Sequence, residues 1–136
     1  MGVCEKFVYL HMNLYEIFII LVVHYFADFI MQTNYQAKNK SKNIEALISH
    51  TGDYTAVWYL VGVVYMAFNM DTYNVGSMSL FLLFTFVIHT LTDYITSRIT
   101  SYYHKRGNTR KFFWVIGADQ ILHYAQLFIC YQILFK

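Results

Sequence analysis

Hydrophobic residues gather in four long runs along this chain, separated by short polar connections. A helix of about 20 residues crosses the ~30 Å hydrocarbon layer of a bilayer, and each run has about that length. The absence of proline favours uninterrupted helices, because proline removes a backbone hydrogen bond inside a helix. The pattern predicts an all-α, integral membrane four-helix bundle that forms a single domain over residues 1–136. The predicted spans are Leu14–Gln32, Ile44–Met70, Met78–Ser97 and Phe112–Phe135.

The composition supports a membrane location. Hydrophobic residues make up 57% of the 136 residues, and charged residues only 13%. Because a domain of this size still exposes much of its surface, so large an apolar fraction has to face lipid. The net charge is only +2 and the basic residues form two clusters between apolar runs, which argues against a nucleic-acid surface. We therefore expect an integral membrane protein with the lipid bilayer as its main partner.

The distribution of basic residues predicts the orientation of the spans. Residues 71–77 contain no lysine or arginine, whereas residues 33–43 and 98–111 are basic. Since positive residues are retained in the cytoplasm, the first and third loops are predicted inside and both termini outside. Anionic lipid headgroups are the expected neighbours of these loops. The alternative is three spans and an interfacial helix, because the second run begins with polar residues. The basic residues are Lys38, Lys40, Lys42, Arg98, Lys105, Arg106, Arg110 and Lys111.

Ionisable residues interrupt all four runs, and their spacing is regular. An ionisable side chain inside a span costs several kcal/mol, so it normally faces the bundle interior. On the second span, His50 precedes Asp53 by three positions and Tyr54 by four, which places all three on one helix face. On the other spans a histidine and an aspartate lie four apart: His24 and Asp28, His89 and Asp93, Asp119 and His123.

The predicted topology also places these residues at matching depths. The aspartates and His50 lie about five to seven residues from the cytoplasmic ends of their spans, and the other histidines about one turn deeper. Such a set suits one or two divalent ions, with zinc, iron or manganese favoured over calcium. The predicted ligands are His24, Asp28, His50, His89, Asp93, Asp119 and His123; Gln32, Tyr54 and Gln120 are the predicted orienting groups. Asp53 is either a further ligand or a polar residue at a helix start.

These residues lead to several functional hypotheses. The first is a metal-dependent hydrolase that acts near the cytoplasmic leaflet on a lipid or another membrane-partitioned substrate. Its catalytic residues would be Asp28, Asp93 and Asp119, one of them serving as general base. A proton or divalent-ion transporter or channel is the second, because paired His and Asp residues also suit a relay. The third is a non-enzymatic membrane module, in which the polar residues form a structural network. The oligomeric state stays open.

Four separated motifs resemble those of a domain-of-unknown-function family of small bacterial and phage membrane proteins. The similarity extends from about Leu14 to Phe135 and implies a multi-helix membrane fold with a His and Asp set, but no activity. It also implies the bacterial inner (plasma) membrane as the location. A looser similarity to membrane-associated metal-dependent hydrolases is analogy only. Asp53 has no counterpart in the family pattern. The motifs are His24-Tyr-Phe-Ala27-Asp28-Phe-Ile-Met-Gln32; Lys40, His50 and Tyr54; His89-Thr-Leu-Thr-Asp93-Tyr94; and Asp119-Gln120-Ile-Leu-His123.

Overall fold

The computed structural model describes residues 12–68 and 74–136, and this part of the chain is helical without any β-strand. The predicted all-α class is therefore confirmed. The first helix changes into a π-helical segment before the first connection, which itself contains a short helix. The elements are α1 (Leu14–Tyr25), the π-helical segment (Phe26–Ile30), α2 (Asn34–Asn39), α3 (Ile44–Phe68), α4 (Val75–Lys105) and α5 (Thr109–Phe135).

The long helices pack side by side around a common interior. Helix α1 contacts α5, α5 contacts α4, α4 contacts α3, and the π-helical segment returns to α3. Because the described connections are short, consecutive long helices run in opposite directions. At one end, Glu16 Oε1 and Lys136 Nζ lie 2.7 Å apart, which joins the start of α1 to the last residue. The two basic connections lie at the opposite end.

Helix α4 is longer than predicted. The sequence placed a loop over Arg98–Lys111, but the helix continues to Lys105 and α5 begins at Thr109. No residue breaks the helix before Gly107, whose φ of 65° lies in the left-handed region. The amide of Asn108 donates to Tyr103 O at 3.1 Å and that of Gly107 to His104 O at 3.0 Å, a Schellman ending. The basic loop is therefore shorter than predicted.

The first basic connection holds helix α2, which the sequence analysis missed. Thr33 caps this helix, because its hydroxyl accepts from the amide of Gln36 at 3.2 Å and Gln36 Oε1 accepts from the amide of Thr33 at 2.8 Å. The Gln36 side chain is buried against α3. The connection is thus an ordered cover over one end of the helices. Residues 69 and 70 of the second predicted span, and residues 71–73 of the following loop, lie outside the described residues.

In a soluble bundle, polar side chains cover the outside and apolar ones fill the inside. In this protein, large apolar side chains cover the outside and many polar side chains are buried. Large apolar residues are exposed on every long helix, for example Phe18, Leu60, Leu83 and Ile129. The buried polar residues are His24, Asp28, Gln36, His50, Thr51, Thr85, His89, Asp93, Thr96, His123 and Gln126. An apolar cluster that includes Ile20, Trp58, Met78, Phe81 and Leu127 forms the rest of the interior.

Among the described helices, α4 alone is long and apolar enough by itself to cross a membrane. Helix α1 is short because the π-helical segment replaces its last turns. The four-span topology and the inner-membrane location therefore remain predictions.

Candidate metal centre

Each long helix contributes to a cluster of buried imidazole and carboxylate groups. The π-helical segment matters here, because its wider turn lets the neighbours Ala27 and Asp28 both face the interior. The amide of Met31 donates to Phe26 O at 3.0 Å, the bond over five residues that defines such a turn. Local departures of this kind are frequent at functional sites.

One group of donors is centred on His50. Its Nε2 atom lies 3.1 Å from Asp28 Oδ1 and 3.2 Å from Asp93 Oδ2. From the other side, His89 Nε2 lies 3.6 Å from Asp28 Oδ1 and 3.8 Å from Asp93 Oδ2. All four residues are buried, and each offers a donor atom within 4.8 Å of the others, close enough to hold one metal ion.

A second group of donors lies beside the first and shares one residue with it. Asp28, Asp119 and His123 again offer donor atoms within 4.8 Å of one another. His123 Nε2 is 3.3 Å from Asp119 Oδ1, and at 3.2 Å from Asp93 Oδ1 it also touches the first group. The two groups therefore form a continuous set of nitrogen and oxygen donors, with Asp28 common to both. Nitrogen and carboxylate donors together fit zinc, manganese or iron.

Three aromatic rings stack behind the donors. The Tyr54 and His89 ring centroids are 3.9 Å apart with planes inclined at 19°, and those of His89 and His123 are 4.0 Å apart at 22°. The stack holds both histidines with Nε2 toward the carboxylates. Within the described residues, neither His89 Nδ1 nor His123 Nδ1 has a hydrogen-bond partner. The polar contacts of both rings are therefore made on the side of the cluster.

His24, one of the predicted ligands, lies outside both donor groups. Its Nδ1 atom is 2.8 Å from Tyr54 Oη and its Nε2 atom 2.9 Å from Gln120 Oε1, so both ring nitrogens are hydrogen-bonded to protein. Nε2 is also 3.8 Å from Asp28 Oδ2. In this arrangement His24 contacts the cluster from one side and orients its neighbours. The remaining six predicted ligands are the members of the two groups.

The predicted orienting residues contact the donors. Gln120 Nε2 donates to Asp28 Oδ2 at 3.0 Å and to Asp119 Oδ2 at 3.1 Å, and thus links two carboxylates. Gln32 Nε2 lies 3.1 Å from His50 Nδ1. Hydrogen bonds of this kind fix ligand orientation in metal sites. Together with the Tyr54 contact to His24, they show that the cluster is surrounded by groups that hold its side chains in place.

The sequence model of the family described as "Protein of unknown function (DUF3307)" matches residues 17–136. The chain belongs to this family. The match confirms the resemblance to a domain-of-unknown-function family and includes every residue of both donor groups. Comparisons with curated proteins and with solved structures gave no match.

Two further side chains contact the cluster, and the site prediction omitted both. Lys40 Nζ lies 2.7 Å from Asp93 Oδ2. The Thr96 hydroxyl donates to Asp119 Oδ1. Lys40 had been interpreted as a topology signal, although it stands in one of the family motifs, and that motif was the available clue. Thr96 lies three residues after Asp93 on α4, and nothing in its local sequence distinguishes it from the other threonines of that helix.

Asp53 is not part of the DUF3307 cluster. It is exposed, belongs to neither donor group, and accepts a hydrogen bond from Gln36 Nε2 at 2.6 Å. Asp53 is the tenth residue of α3, so it lies neither in the cluster nor at a helix start, and its contact with Gln36 holds α2 against α3.

A cavity of about 580 Å³ adjoins the cluster at the end of the molecule that carries the basic connections. Asp28, Asp93 and Asp119 form part of its wall, and Gln32 and Gln120 lie beside them. The volume is in the range of small-molecule binding sites. The donors are therefore buried within the protein but reachable from one side.

Proposed function

We propose that the protein is an integral membrane hydrolase that uses one or two divalent metal ions to cleave a lipid or another membrane-partitioned substrate near the cytoplasmic leaflet. The observation that carries the proposal is the convergence of two buried donor groups that share Asp28. Isolated buried carboxylates and imidazoles are costly, and a cation would compensate for that cost. The adjoining cavity gives a substrate access to the same atoms.

The donor chemistry supports a hydrolytic role. A metal ion held by these residues would supply Lewis-acid activation of water and of the bond to be cleaved. Asp119 is the least buried of the three aspartates, with a side-chain exposure of 14%, and it lines the cavity. Its position fits a general base that accepts a proton from water. If two ions bind, Asp28 would be a ligand of both, because it belongs to both groups.

The distribution of side chains supports embedding in a membrane. Apolar residues cover the outside of the long helices and polar residues fill much of the inside. An apolar exterior of this extent is typical of protein in contact with lipid. Only the outer face of such a helix meets lipid, so polar residues can line the interior while the outer face stays apolar. We therefore propose four spans.

The orientation is supported by pairs of basic and aromatic side chains at one end. The Arg98 guanidinium lies 3.5 Å from the Tyr94 ring centroid and that of Arg106 lies 4.2 Å from the Tyr102 ring centroid. Arg110 is placed in the same way 4.8 Å from the centroid of Trp114. Tyrosine and tryptophan are enriched at membrane interfaces, and basic residues at the cytoplasmic one. This end would thus face the cytoplasm.

The interior at the other end argues against the transporter hypothesis. Beyond the cluster, the described residues continue the polar contacts through Thr85 and Gln126, whose side chains lie 3.2 Å apart, to Cys130. The apolar cluster with Ile20, Trp58 and Phe81 follows. Within the described residues, the polar interior therefore reaches one end of the molecule only, as expected for a reaction site with a single entrance.

A turnover experiment tests the proposal. Full-length protein is reconstituted into vesicles of total bacterial lipid with manganese, zinc or iron, and lipid products are measured by mass spectrometry. Asp93→Ala is expected to lower turnover by at least about 100-fold, because it removes a donor to the first group. Asp53→Ala is the matched control, since this aspartate lies outside the cluster, and should retain turnover. Undiminished turnover in folded Asp93→Ala protein would exclude the proposed site.

A further inference from the structure

Basic side chains of this protein gather around the cavity beside the cluster. A smaller recess of about 360 Å³ adjoins this cavity, and Ser41, Lys42, Ser101 and Lys105 line both. Six of the ten lysines and arginines line one or both of these spaces. They are Lys38, Lys40, Lys42, Arg98, Lys105 and Arg106. Among the residues that the structure describes, the only carboxylates in the two walls are Asp28, Asp93 and Asp119 of the cluster.

Lys42 and Lys105 are the basic residues best placed to hold an anion. Each lines both spaces, and neither is within ion-pair distance of a carboxylate in the described part of the chain. Like charges around one cavity repel each other, and an anion would relieve this repulsion. Lys40 differs from them, because Asp93 already pairs with its ammonium.

Hydroxyl groups add further donors to the same wall. Ser41 Oγ and Ser101 Oγ lie 2.9 Å apart, and the hydrogen bond between them links the first connection to α4. Ser97 also lines the cavity, and its Oγ atom is buried without a hydrogen-bond partner in the described residues. Away from the aspartates, the ammonium groups of this wall can only donate, and its hydroxyls can donate as well as accept. A tetrahedral oxyanion with several acceptor oxygens fits such a wall.

We propose that the cavity binds the phosphoryl group of a phosphate ester, held by Lys42 and Lys105 next to the His and Asp cluster. The inference rests on the proposed function for the reaction, but the binding site stands on the cavity alone. In the reaction, water adds to phosphorus and the P–O bond to the alcohol breaks. The alcohol oxygen takes one proton, so the products are an alcohol and hydrogen phosphate, without change of oxidation state.

The phosphate ester could belong to a lipid or to a water-soluble molecule, since both present the same group. Binding is therefore measured first with inorganic phosphate, by titration calorimetry on full-length, manganese-loaded protein in maltoside detergent. The Lys42→Gln/Lys105→Gln double variant is expected to bind phosphate at least about tenfold more weakly, because charge-assisted contacts are lost. Lys111→Gln is the control, since it removes one positive charge near the same end outside both spaces. It should bind phosphate within about twofold of the unaltered protein.

Metal content is measured on the same samples, so that the two proposals can fail separately. Unaltered protein that holds metal but binds no phosphate would overturn the phosphate site and leave the metal site standing. Equal phosphate binding by the double variant and the Lys111→Gln protein would also overturn it. If the protein holds no metal after incubation with manganese but still binds phosphate through Lys42 and Lys105, the phosphate site is supported and the metal-dependent hydrolase is contradicted.

A second arm identifies the source of the phosphate. Phosphatidic acid in vesicles of neutral lipid and p-nitrophenyl phosphate in solution are offered to the same preparations. Release of inorganic phosphate from the lipid alone identifies a membrane substrate, and release from the soluble ester alone identifies a substrate from the aqueous phase. Release from neither, by protein that holds metal and binds phosphate, would contradict the phosphate-ester reaction.

Discussion

Lys40 Nζ and Asp93 Oδ2 lie 2.7 Å apart, so a lysine of the first connection reaches a carboxylate of the buried cluster. The Lys40 side chain is 17% exposed and that of Asp93 only 2%. The carboxylate of Asp93, a proposed metal ligand, is thus already paired with the Lys40 ammonium. The pair also ties the connection between the first two long helices to α4.

Replacement of Lys40 by methionine is expected to strengthen metal binding. The ammonium competes with a metal ion for Asp93, and one charge-assisted contact is worth roughly 1.5–3 kcal/mol, so affinity should rise by about tenfold. The metal-free protein should become less stable, because the Asp93 carboxylate loses its contact with the Lys40 ammonium. Metal titration followed by thermal unfolding measures both effects. Lys136→Met, which breaks the distant pair with Glu16, should leave the affinity unchanged. Loss of metal binding in Lys40→Met would contradict this competition.

The Tyr54 hydroxyl is expected to support metal binding through His24. Tyr54→Phe keeps the ring that stacks on His89 and removes only the 2.8 Å contact to His24 Nδ1. Loss of such an orienting contact typically weakens metal binding by about 10- to 100-fold. A competition assay with a metal-sensitive dye gives the affinity. Tyr59→Phe, an exposed position on the same helix, is the control. Equal affinities of the two variants would show that this hydroxyl does not support the donor groups through His24.

Two glycines are expected to respond to alanine with opposite signs. Gly107 has a φ of 65°, so Gly107→Ala should lower the free energy of unfolding by about 1 kcal/mol. Gly117 lies inside α5, and a Cβ there would meet nothing within 4 Å. Gly117→Ala should raise stability by roughly 0.5–1 kcal/mol. Thermal unfolding in detergent measures both. A destabilised Gly117→Ala protein would indicate that this face is covered by another molecule.

The proposed topology predicts that the two ends of the molecule face opposite sides of the membrane. Single cysteines are introduced at Lys38 and Val75, both exposed and at opposite ends of the long helices, in a background without Cys4 and Cys130. In intact cells, a membrane-impermeant maleimide should label the Val75→Cys protein and spare the Lys38→Cys protein. Lysis should expose Lys38→Cys to the reagent. Equal labelling of both in intact cells would contradict four spans.

Much of the fold and the cluster could be predicted because each depends on a local periodicity. Runs of apolar residues predicted the four long helical stretches, and a spacing of four placed His89 with Asp93 and Asp119 with His123 on common faces. Reversal of chain direction between successive helices then predicted which residues meet. The structure brings six of the seven predicted ligands into its two donor groups.

The features that the sequence did not predict depend on tertiary contacts or on backbone geometry. The π-helical turn that lets both Ala27 and Asp28 face inward has no simple periodic signature. Gln36 is buried because α2 folds back against α3, which its polar local sequence does not indicate. Lys40 reaches Asp93 across 53 positions of the chain, and only the packed structure shows which cation lies at the cluster.

Metal content tests the central claim most directly. Full-length protein is purified in detergent, supplied with zinc, manganese and iron, freed of unbound metal and analysed by mass spectrometry. One or two equivalents of a transition metal are expected in the unaltered protein and in the Asp53→Ala control. Asp93→Ala and His123→Ala should lose most of this metal, since each removes a donor. Absence of metal from well-folded unaltered protein would contradict the account and leave the cluster as a buried polar network.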